Sequence, residues 1–106
     1  PPDDAQGVLQ DVHWSAGSLG YFPTYALGNL VAAQLWDRIL RDIPDLSEKL
    51  HQAEFGELLT WLRENIHCHG TKYSTQEVLH NLTGSGIDSN PYMRYLVEKF
   101  GKIYGF

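Results

Sequence analysis

The chain has 106 residues, enough for one small domain, and carries 13 acidic against 8 basic residues, a formal net charge of −5. No basic stripe is present to neutralise phosphates, which argues against a nucleic-acid partner. The longest mainly apolar run, residues 25–36, is shorter than the roughly 18 residues that a membrane-spanning helix needs. The single cysteine, Cys68, excludes an internal disulfide, and these features together predict a soluble cytoplasmic protein without membrane partners.

The N-terminal quarter is the candidate site. Residues 1–4 read PPDD, which is typical of a linker, and we expect a segment cut from a longer protein. Residues 7–28 then read GVLQDVHWSAGSLGYFPTYALG and mix aromatic side chains with small and turn-forming residues, as loops positioned by a scaffold do. Residues 8–14 show neither strict alternation nor a helical stripe, so we predict an irregular stretch, a short turn or a strand.

About five helices are predicted after this loop, which makes the fold all-α. Pro23 suits the first turn of the longest helix because its missing N–H would be unpaired there, and Pro44 ends it. Asp45 and Glu48 fit a capping box for a short second helix that runs to about Ala53. The predicted apolar face of the long helix consists of Leu27, Leu30, Val31, Leu35, Ile39, Leu40 and Ile43.

Two further helices follow in the chain. The third is predicted to end at a left-handed Gly70, with His67 and His69 in its last turn. Ser74 and Glu77 form a capping box for the fourth, which residues 83–86 terminate. The apolar positions are Phe55, Leu58, Leu59, Leu62 and Ile66 in the third helix and Val78, Leu79 and Leu82 in the fourth.

The last predicted helix begins with Asn90 as its N-cap and Pro91 as its first helical residue. Its predicted apolar face consists of Tyr92, Leu96, Val97, Phe100, Ile103 and Tyr104. No internal repeat is present in the chain.

Two ordered motifs in the candidate loop identify a family. Residues 10–17 read QDVHWSAG and match the pattern Q-D-x-H-W followed by S-x-G, and residues 20–28 read GYFPTYALG and match G-Y-F-P-x-Y-x-L-G. The chain therefore resembles the C-terminal segment of the thermostable carboxypeptidase Taq family of zinc metallopeptidases. Residues 61–67, 72–74 and 90–105 are also similar to that family. The resemblance implies that residues 1–106 are one helical segment of a larger zincin-like catalytic fold, in which residues 7–28 line the cleft.

This resemblance implies a parent enzyme that uses zinc to remove single residues from the C-termini of peptides. Its H-E-x-x-H motif, which places two metal ligands and the general base on one helix face, does not occur in this sequence. We therefore expect the ligands in a preceding segment, no cofactor in this chain and no hydrolysis by this chain alone. The implied partners are the C-terminus of a peptide substrate, the upstream metal-binding segment and a second copy in a homo-oligomer.

The resemblance also implies roles for individual side chains. His13, Tyr21 and Tyr25 are the predicted catalytic residues, because hydroxyl and imidazole donors stabilise the oxyanion that forms when a peptide carbonyl is attacked. Which tyrosine donates to the oxyanion, and which contacts the substrate backbone or its terminal carboxylate, stays open. The predicted substrate-binding residues are Gln10, Asp11 and Trp14.

Each of these residues has a structural alternative. His13 could be an ordinary hydrogen-bonded histidine, and Asp11 could either orient the His13 imidazole or cap a turn. Tyr21 and Tyr25 lie four residues apart, so they share a face if the helix starts early and could simply pack. A structural amide is the favoured role for Gln10.

Two other patterns contain possible metal ligands, and neither is predicted to bind a metal. His51 and Glu54 have the H-x-x-E spacing of a different class of zinc carboxypeptidase, but a suitably distant third histidine is missing. His67, Cys68 and His69 could capture a transition metal opportunistically. The favoured alternative for these two histidines is an interaction with the dipole at a helix C-terminus.

A second hypothesis belongs to another class of protein, a catalytically silent interaction or dimerisation domain. In that case Trp14, Tyr21, Phe22 and Tyr25 would form an exposed apolar patch, a feature that marks binding sites. This hypothesis predicts that the 106-residue chain self-associates.

Overall fold

The computed structural model describes residues 2–105, and these residues form helices connected by turns. The α-helices are α1 (Val12–Ser15), α2 (Pro23–Asp42), α3 (Leu46–His51), α4 (Gly56–Asn65), α5 (Thr75–Thr83) and α6 (Asn90–Tyr104). Short 3₁₀ helices cover Asp4–Gln6, Val8–Gln10 and His67–His69. No strand occurs within residues 2–105, so the predicted all-α class is confirmed. Pro1, part of the predicted linker, lies outside the described residues.

Two helices begin and end where the sequence predicted. Helix α2 starts at Pro23 and closes at Ile43, whose N–H donates to the Ile39 carbonyl at 2.8 Å. Helix α5 has the predicted capping box. The Ser74 hydroxyl accepts the Glu77 N–H at 3.3 Å, and the Glu77 carboxylate accepts the Ser74 N–H at 2.8 Å. These starts and stops could be predicted because they depend on residues only a few positions apart.

The capping predicted at two helix starts is wrong. Asp45 is the N-cap residue of α3, as predicted, but its side chain makes no capping bond and instead accepts from the Lys49 ammonium at 2.8 Å. A positive side chain one turn away therefore competes with the backbone N–H groups for this carboxylate. Asn90 is the first residue of α6, and its cap is Ser89. The Asp88 carboxylate accepts the Asn90 N–H at 3.0 Å just before this helix.

The predicted end of the third helix is also wrong. Helix α4 stops at Asn65, because Ile66 has φ −128° and ψ −60° and leaves the helical conformation. The segment His67–His69 forms a separate 3₁₀ helix, so its histidines do not lie in the last turn of α4. Gly70 follows with φ +54° and closes this 3₁₀ helix.

The stretch 8–14, predicted to be irregular, contains two single helical turns, the 3₁₀ helix Val8–Gln10 and the start of α1. The side chains of Val12 and Trp14 are exposed in this stretch. The sequence shows no helical stripe of apolar residues here because these turns bury no apolar face.

Helix α2 is the central element and packs against both α5 and α6. The main core lies at its C-terminal end, where α3 and α4 also meet it. Trp61 is 8% exposed, and its indole N–H donates to the Asp42 carboxylate at 2.8 Å. The buried members of this core are Ile39, Ile43, Leu46 and Trp61. The half-buried residues packed on them are Leu40, Leu50, Leu58, Leu62, Ile66 and Leu82.

A buried polar side chain fixes the loop between α5 and α6 to α2. Gln34 is 4% exposed. Its amide donates to the Gly86 carbonyl at 2.9 Å, and its carbonyl accepts the Asp88 N–H at 2.9 Å. Because both ends of the amide are satisfied, its burial is compatible with a stable fold.

The predicted apolar face of α6 is only partly buried. Tyr92, Leu96 and Phe100 are half-buried, whereas the exposed members are Val97, Ile103 and Tyr104. The Cα radius of gyration of the described chain is 17.5 Å, compared with about 13 Å for a compact domain of this length. The open shape leaves apolar side chains uncovered. Within residues 2–105, no helix combines the length and the hydropathy needed to cross a membrane.

Candidate functional site

The candidate site forms where the chain turns from α1 into α2. The Asp11 carboxylate caps α1 by accepting the His13 N–H at 3.1 Å. Gly17 and Gly20 adopt φ values of +76° and +77°, which side chains with a Cβ rarely adopt, and they allow the reversal of direction. The Ser18 N–H donates to the His13 carbonyl at 2.8 Å and holds the turn. The first turn of α2 is thereby brought next to His13.

Three side chains then form a continuous hydrogen-bonded series, called here the Asp11–His13–Tyr25 relay. The Nδ1 atom of His13 lies 2.8 Å from Asp11 Oδ1, and its Nε2 atom lies 3.1 Å from the Tyr25 hydroxyl. An ionised carboxylate can only accept, so Nδ1 carries the proton. In neutral His13, Nε2 therefore accepts from the Tyr25 hydroxyl, and in the protonated ring it donates to that oxygen.

Aromatic rings surround the imidazole. The ring centroid of His13 lies 5.1 Å from that of Tyr21, 5.5 Å from that of Tyr25 and 6.4 Å from that of Phe22. Tyr21 and Tyr25 meet edge to face at 6.0 Å, a favourable geometry for two rings. We call these four residues the aromatic cluster. Its rings restrict the orientation of His13.

Burial differs across the relay. The side chain of Asp11 is 15% exposed and that of His13 is 23% exposed, whereas Tyr25 is 55% exposed. The relay therefore runs from a nearly buried carboxylate to a hydroxyl at the surface. The second carboxylate oxygen of Asp11, Oδ2, is buried and has no hydrogen-bond partner within residues 2–105.

Comparison with known proteins establishes the family. The family model described as carboxypeptidase Taq (M32) metallopeptidase matches residues 1–100.

The chain belongs to the carboxypeptidase Taq (M32) family.

Named relatives agree with this assignment. The chain is similar to thermostable carboxypeptidase 1 of Pyrococcus furiosus, with 45% identity over 100 residues, 94% of this chain and 20% of that protein. It is 39% identical to carboxypeptidase 1 of Bacillus subtilis over 104 residues, 98% of this chain and 21% of that protein. The crystal structure of the M32 carboxypeptidase from Deinococcus radiodurans R1 matches with a TM-score of 0.89 at 36% identity, over 100% of this chain and 22% of that chain. The chain thus spans about a fifth of these relatives, and its predicted family resemblance is confirmed.

Several of the predicted site residues lie together in this Taq-family chain. His13, Tyr21 and Tyr25 are in contact, and Asp11 both caps α1 and bonds the imidazole, so the two alternatives for Asp11 occur together. Phe22, which the sequence indicated only as part of an apolar patch, also packs on the His13 ring. The catalytic and substrate-binding roles themselves stay predictions.

Two predicted site residues stand apart from the relay. The Gln10 amide donates to the Ala5 carbonyl at 2.6 Å, the structural contact that was the favoured alternative. Trp14 is 48% exposed at the surface of α1.

The possible metal ligands of the Taq-family chain do not form a zinc site. Catalytic zinc takes three protein ligands, and no group of three His, Cys, Asp or Glu side chains within residues 2–105 is arranged to hold a metal. The Cys68 thiol donates to the Glu64 carbonyl at 2.9 Å, and the His69 ring packs against Tyr73 at 5.3 Å. The described residues therefore do not fit a zinc ion.

A separate groove of about 370 Å³ lies between α2 and α6 of the Taq-family chain. The residues that line it include Ala32, Ala33, Trp36, Tyr92 and Tyr95. None of the predicted site residues lines this groove.

Proposed function

We propose that this chain is the part of a zinc metallocarboxypeptidase that lines the substrate cleft and stabilises the peptide carbonyl under attack. Residues 7–28 form the cleft-lining segment, and residues 1–106 form one helical segment of the catalytic domain. The observation that carries this proposal is the Asp11–His13–Tyr25 relay beside Tyr21. The membership in a metallopeptidase family and the match to proteins named carboxypeptidase support it.

The chemistry proposed for the aromatic cluster is hydrogen-bond donation. Attack on a peptide carbonyl builds negative charge on its oxygen, and donors held in place beforehand stabilise that charge. Tyr21 and Tyr25 are about half exposed, so a substrate can reach them. His13 restricts Tyr25 through its hydrogen bond and Tyr21 through ring packing. We propose that these tyrosines and the His13 ring contact the scissile peptide, with Gln10, Asp11 and Trp14 nearby.

The remaining parts of the proposed enzyme lie outside this chain. The chain spans about a fifth of its relatives, and we propose that an upstream segment supplies the metal ligands and the general base. Zinc is the proposed metal of the parent. The C-terminus of a peptide is the proposed substrate, and a cytoplasmic homo-oligomer is the proposed form.

Zinc content and hydrolysis of an N-blocked dipeptide test this proposal, measured on this chain and on the longer protein that contains it. We expect only the longer protein to bind stoichiometric zinc and to cleave. In that protein, Tyr21→Phe or Tyr25→Phe should lower kcat by about 10²- to 10³-fold, the scale for losing one oxyanion donor.

The matched control is Tyr104→Phe, an exposed tyrosine in α6 that should leave kcat unchanged. If this chain alone holds zinc and cleaves the dipeptide, the assignment of the ligands to another segment is wrong. Unchanged kcat in both the Tyr21 and Tyr25 variants would refute the oxyanion role.

A second candidate function is supported by the exposure of the aromatic residues. Trp14, Tyr21, Phe22 and Tyr25 are between 48% and 59% exposed. In a catalytically silent interaction domain, these rings would bind a partner or a second copy. An encoding reading frame that lacks H-E-x-x-H upstream would favour this candidate over the peptidase.

A further inference from the structure

We infer that Asp11 is a positioning residue that acts through His13 on Tyr25 and leaves Tyr21 largely unaffected. This inference rests on the proposed function, because it assigns unequal roles to the two tyrosines of the aromatic cluster. It also gives Asp11 a role apart from direct contact with the substrate.

The geometry of the Asp11 carboxylate supports a positioning role. Its Oδ1 atom accepts two donors from His13, the backbone N–H at 3.1 Å and the ring Nδ1 at 2.8 Å. The side chain is only 15% exposed, so it faces the protein and not the solvent. A carboxylate on Nδ1 fixes both the tautomer and the orientation of an imidazole. Asp11 therefore determines which ring nitrogen points at Tyr25.

The two tyrosines contact the imidazole differently. The Tyr25 hydroxyl lies 3.1 Å from His13 Nε2, within hydrogen-bond distance. Tyr21 contacts the same ring by packing, with centroids 5.1 Å apart and planes inclined by 36°. The packing of the Tyr21 ring on the imidazole does not depend on which ring nitrogen of His13 carries the proton. Removal of the Asp11 carboxylate should therefore change the hydrogen bonding of Tyr25 and leave that of Tyr21 as it is.

The protonation of His13 sets the direction of the hydrogen bond to Tyr25. When the ring is neutral, the Tyr25 O–H donates to Nε2 and has to leave that nitrogen before it can donate to an oxyanion. When the ring is protonated, Nε2–H donates to the Tyr25 oxygen and the O–H is free to donate to an oxyanion. The titratable groups that face this ring are Asp11 from the N-cap of α1, Tyr21 from the turn and Tyr25 from α2. The pH profile of kcat is therefore a readout of the relay.

Substitution can separate the two bonds of Asp11. Asp11→Ser retains an N-cap oxygen for the His13 N–H, because serine is a favourable N-cap, but its shorter side chain loses the bond to Nδ1. Asp11→Asn retains an acceptor for Nδ1 without the negative charge. The matched control is Asp3→Ser, since the Asp3 carboxylate caps the 3₁₀ helix Asp4–Gln6 by accepting the Gln6 N–H at 2.9 Å. Asp3→Ser makes the same exchange at an N-cap whose carboxylate bonds the Gln6 N–H and no histidine.

The kinetic test uses the longer zinc-loaded protein and a double-mutant cycle. Asp11→Ser should lower kcat about tenfold, the factor expected for a hydrogen bond to a charged group, with less change in KM. This loss should disappear in the Tyr25→Phe background and persist in the Tyr21→Phe background. Asp11→Asn should lower kcat less and alter its pH profile, and Asp3→Ser should change neither. Equal losses in both tyrosine backgrounds, or no loss from Asp11→Ser, would overturn the inference.

A spectroscopic test is independent of activity. The ¹⁵N shifts of the His13 ring should show the tautomer protonated at Nδ1 in the wild type and a mixture of tautomers in Asp11→Ser. The same single tautomer in both proteins would overturn the positioning role. If neither tyrosine variant lowers kcat, the proposed function is wrong. The ¹⁵N shifts of the His13 ring then still test whether Asp11 positions His13.

Discussion

At the scale of single residues, Asp42 joins the end of α2 to the core. Its carboxylate accepts from Arg38 Nε at 2.9 Å and from the Trp61 indole at 2.8 Å. The hydrogen bond from Arg38, followed by that from Trp61, lowers the pKa of Asp42 below its usual value of 3.8. Because the folded pKa is the lower one, the ionised form stabilises the folded state above the unfolded pKa. That contribution is lost as pH falls through the folded value.

We therefore expect the free energy of unfolding of the chain to fall between about pH 5 and pH 2. Asp42→Asn should reduce this dependence on pH, as measured by urea denaturation at several pH values. Part of the dependence should remain, because hydrogen bonds from Lys49 and Ser74 also lower the pKa of Asp45 and of Glu77 respectively. Glu54→Gln, at an exposed position, is the control, and an unchanged pH dependence in Asp42→Asn would contradict the assignment.

At the scale of elements, α2 holds the site and the core at opposite ends. Tyr25 lies in its first turn and Ile39 in its last turns, which places them about 21 Å apart along the axis at 1.5 Å per residue. Substitutions in the core should therefore affect the aromatic cluster only through the overall stability of the fold. Helix α5 packs against α2, and its Leu79 is 0% exposed.

The start of α5 gives a local prediction. Ser74→Ala removes the hydroxyl that accepts the Glu77 N–H, and loss of such a cap costs about 1 kcal/mol. Urea denaturation should show this decrease. The control is Ser47→Ala at an exposed position within α3, which should change stability by less than about 0.5 kcal/mol. Equal effects of the two substitutions would show that the capping box contributes nothing.

At the scale of the whole molecule, the core is small for the length of the chain. Beyond the main core, Leu79 is buried, while the large apolar side chains of the N-terminal segment lie at the surface. Leu19 is 71% exposed and Phe22 is 59% exposed. Uncovered apolar area of this kind favours association, because burying it releases water.

We therefore expect the 106-residue chain to self-associate at concentrations on the order of tens of micromolar. Phe22→Ser should weaken the association, as measured by sedimentation velocity. Tyr104→Ser, at an aromatic position on α6 that is 71% exposed, tests whether the N-terminal segment is the surface involved. A monomeric wild-type chain in this concentration range would count against the prediction.

The sequence by itself determined the class of the fold, most helix positions and the family. Pro23, Pro44 and the pair Ser74 and Glu77 act on backbone groups within one helical turn, so their effects can be predicted without the rest of the structure. The two motifs in residues 7–28 also placed His13 among the candidate residues before any geometry was known. Even local signals can fail, however, as at Asp45, where the nearby Lys49 binds the carboxylate.

Only the tertiary structure decided which distant residues meet. The bond from His13 to Tyr25 spans 12 positions, that from Trp61 to Asp42 spans 19, and that from Gln34 to Gly86 spans 52. Such contacts depend on how the turns and the packing of the helices bring distant parts of the chain together. A short sequence pattern does not predict them. The relay, the buried indole and the uncovered side of α6 follow from this packing.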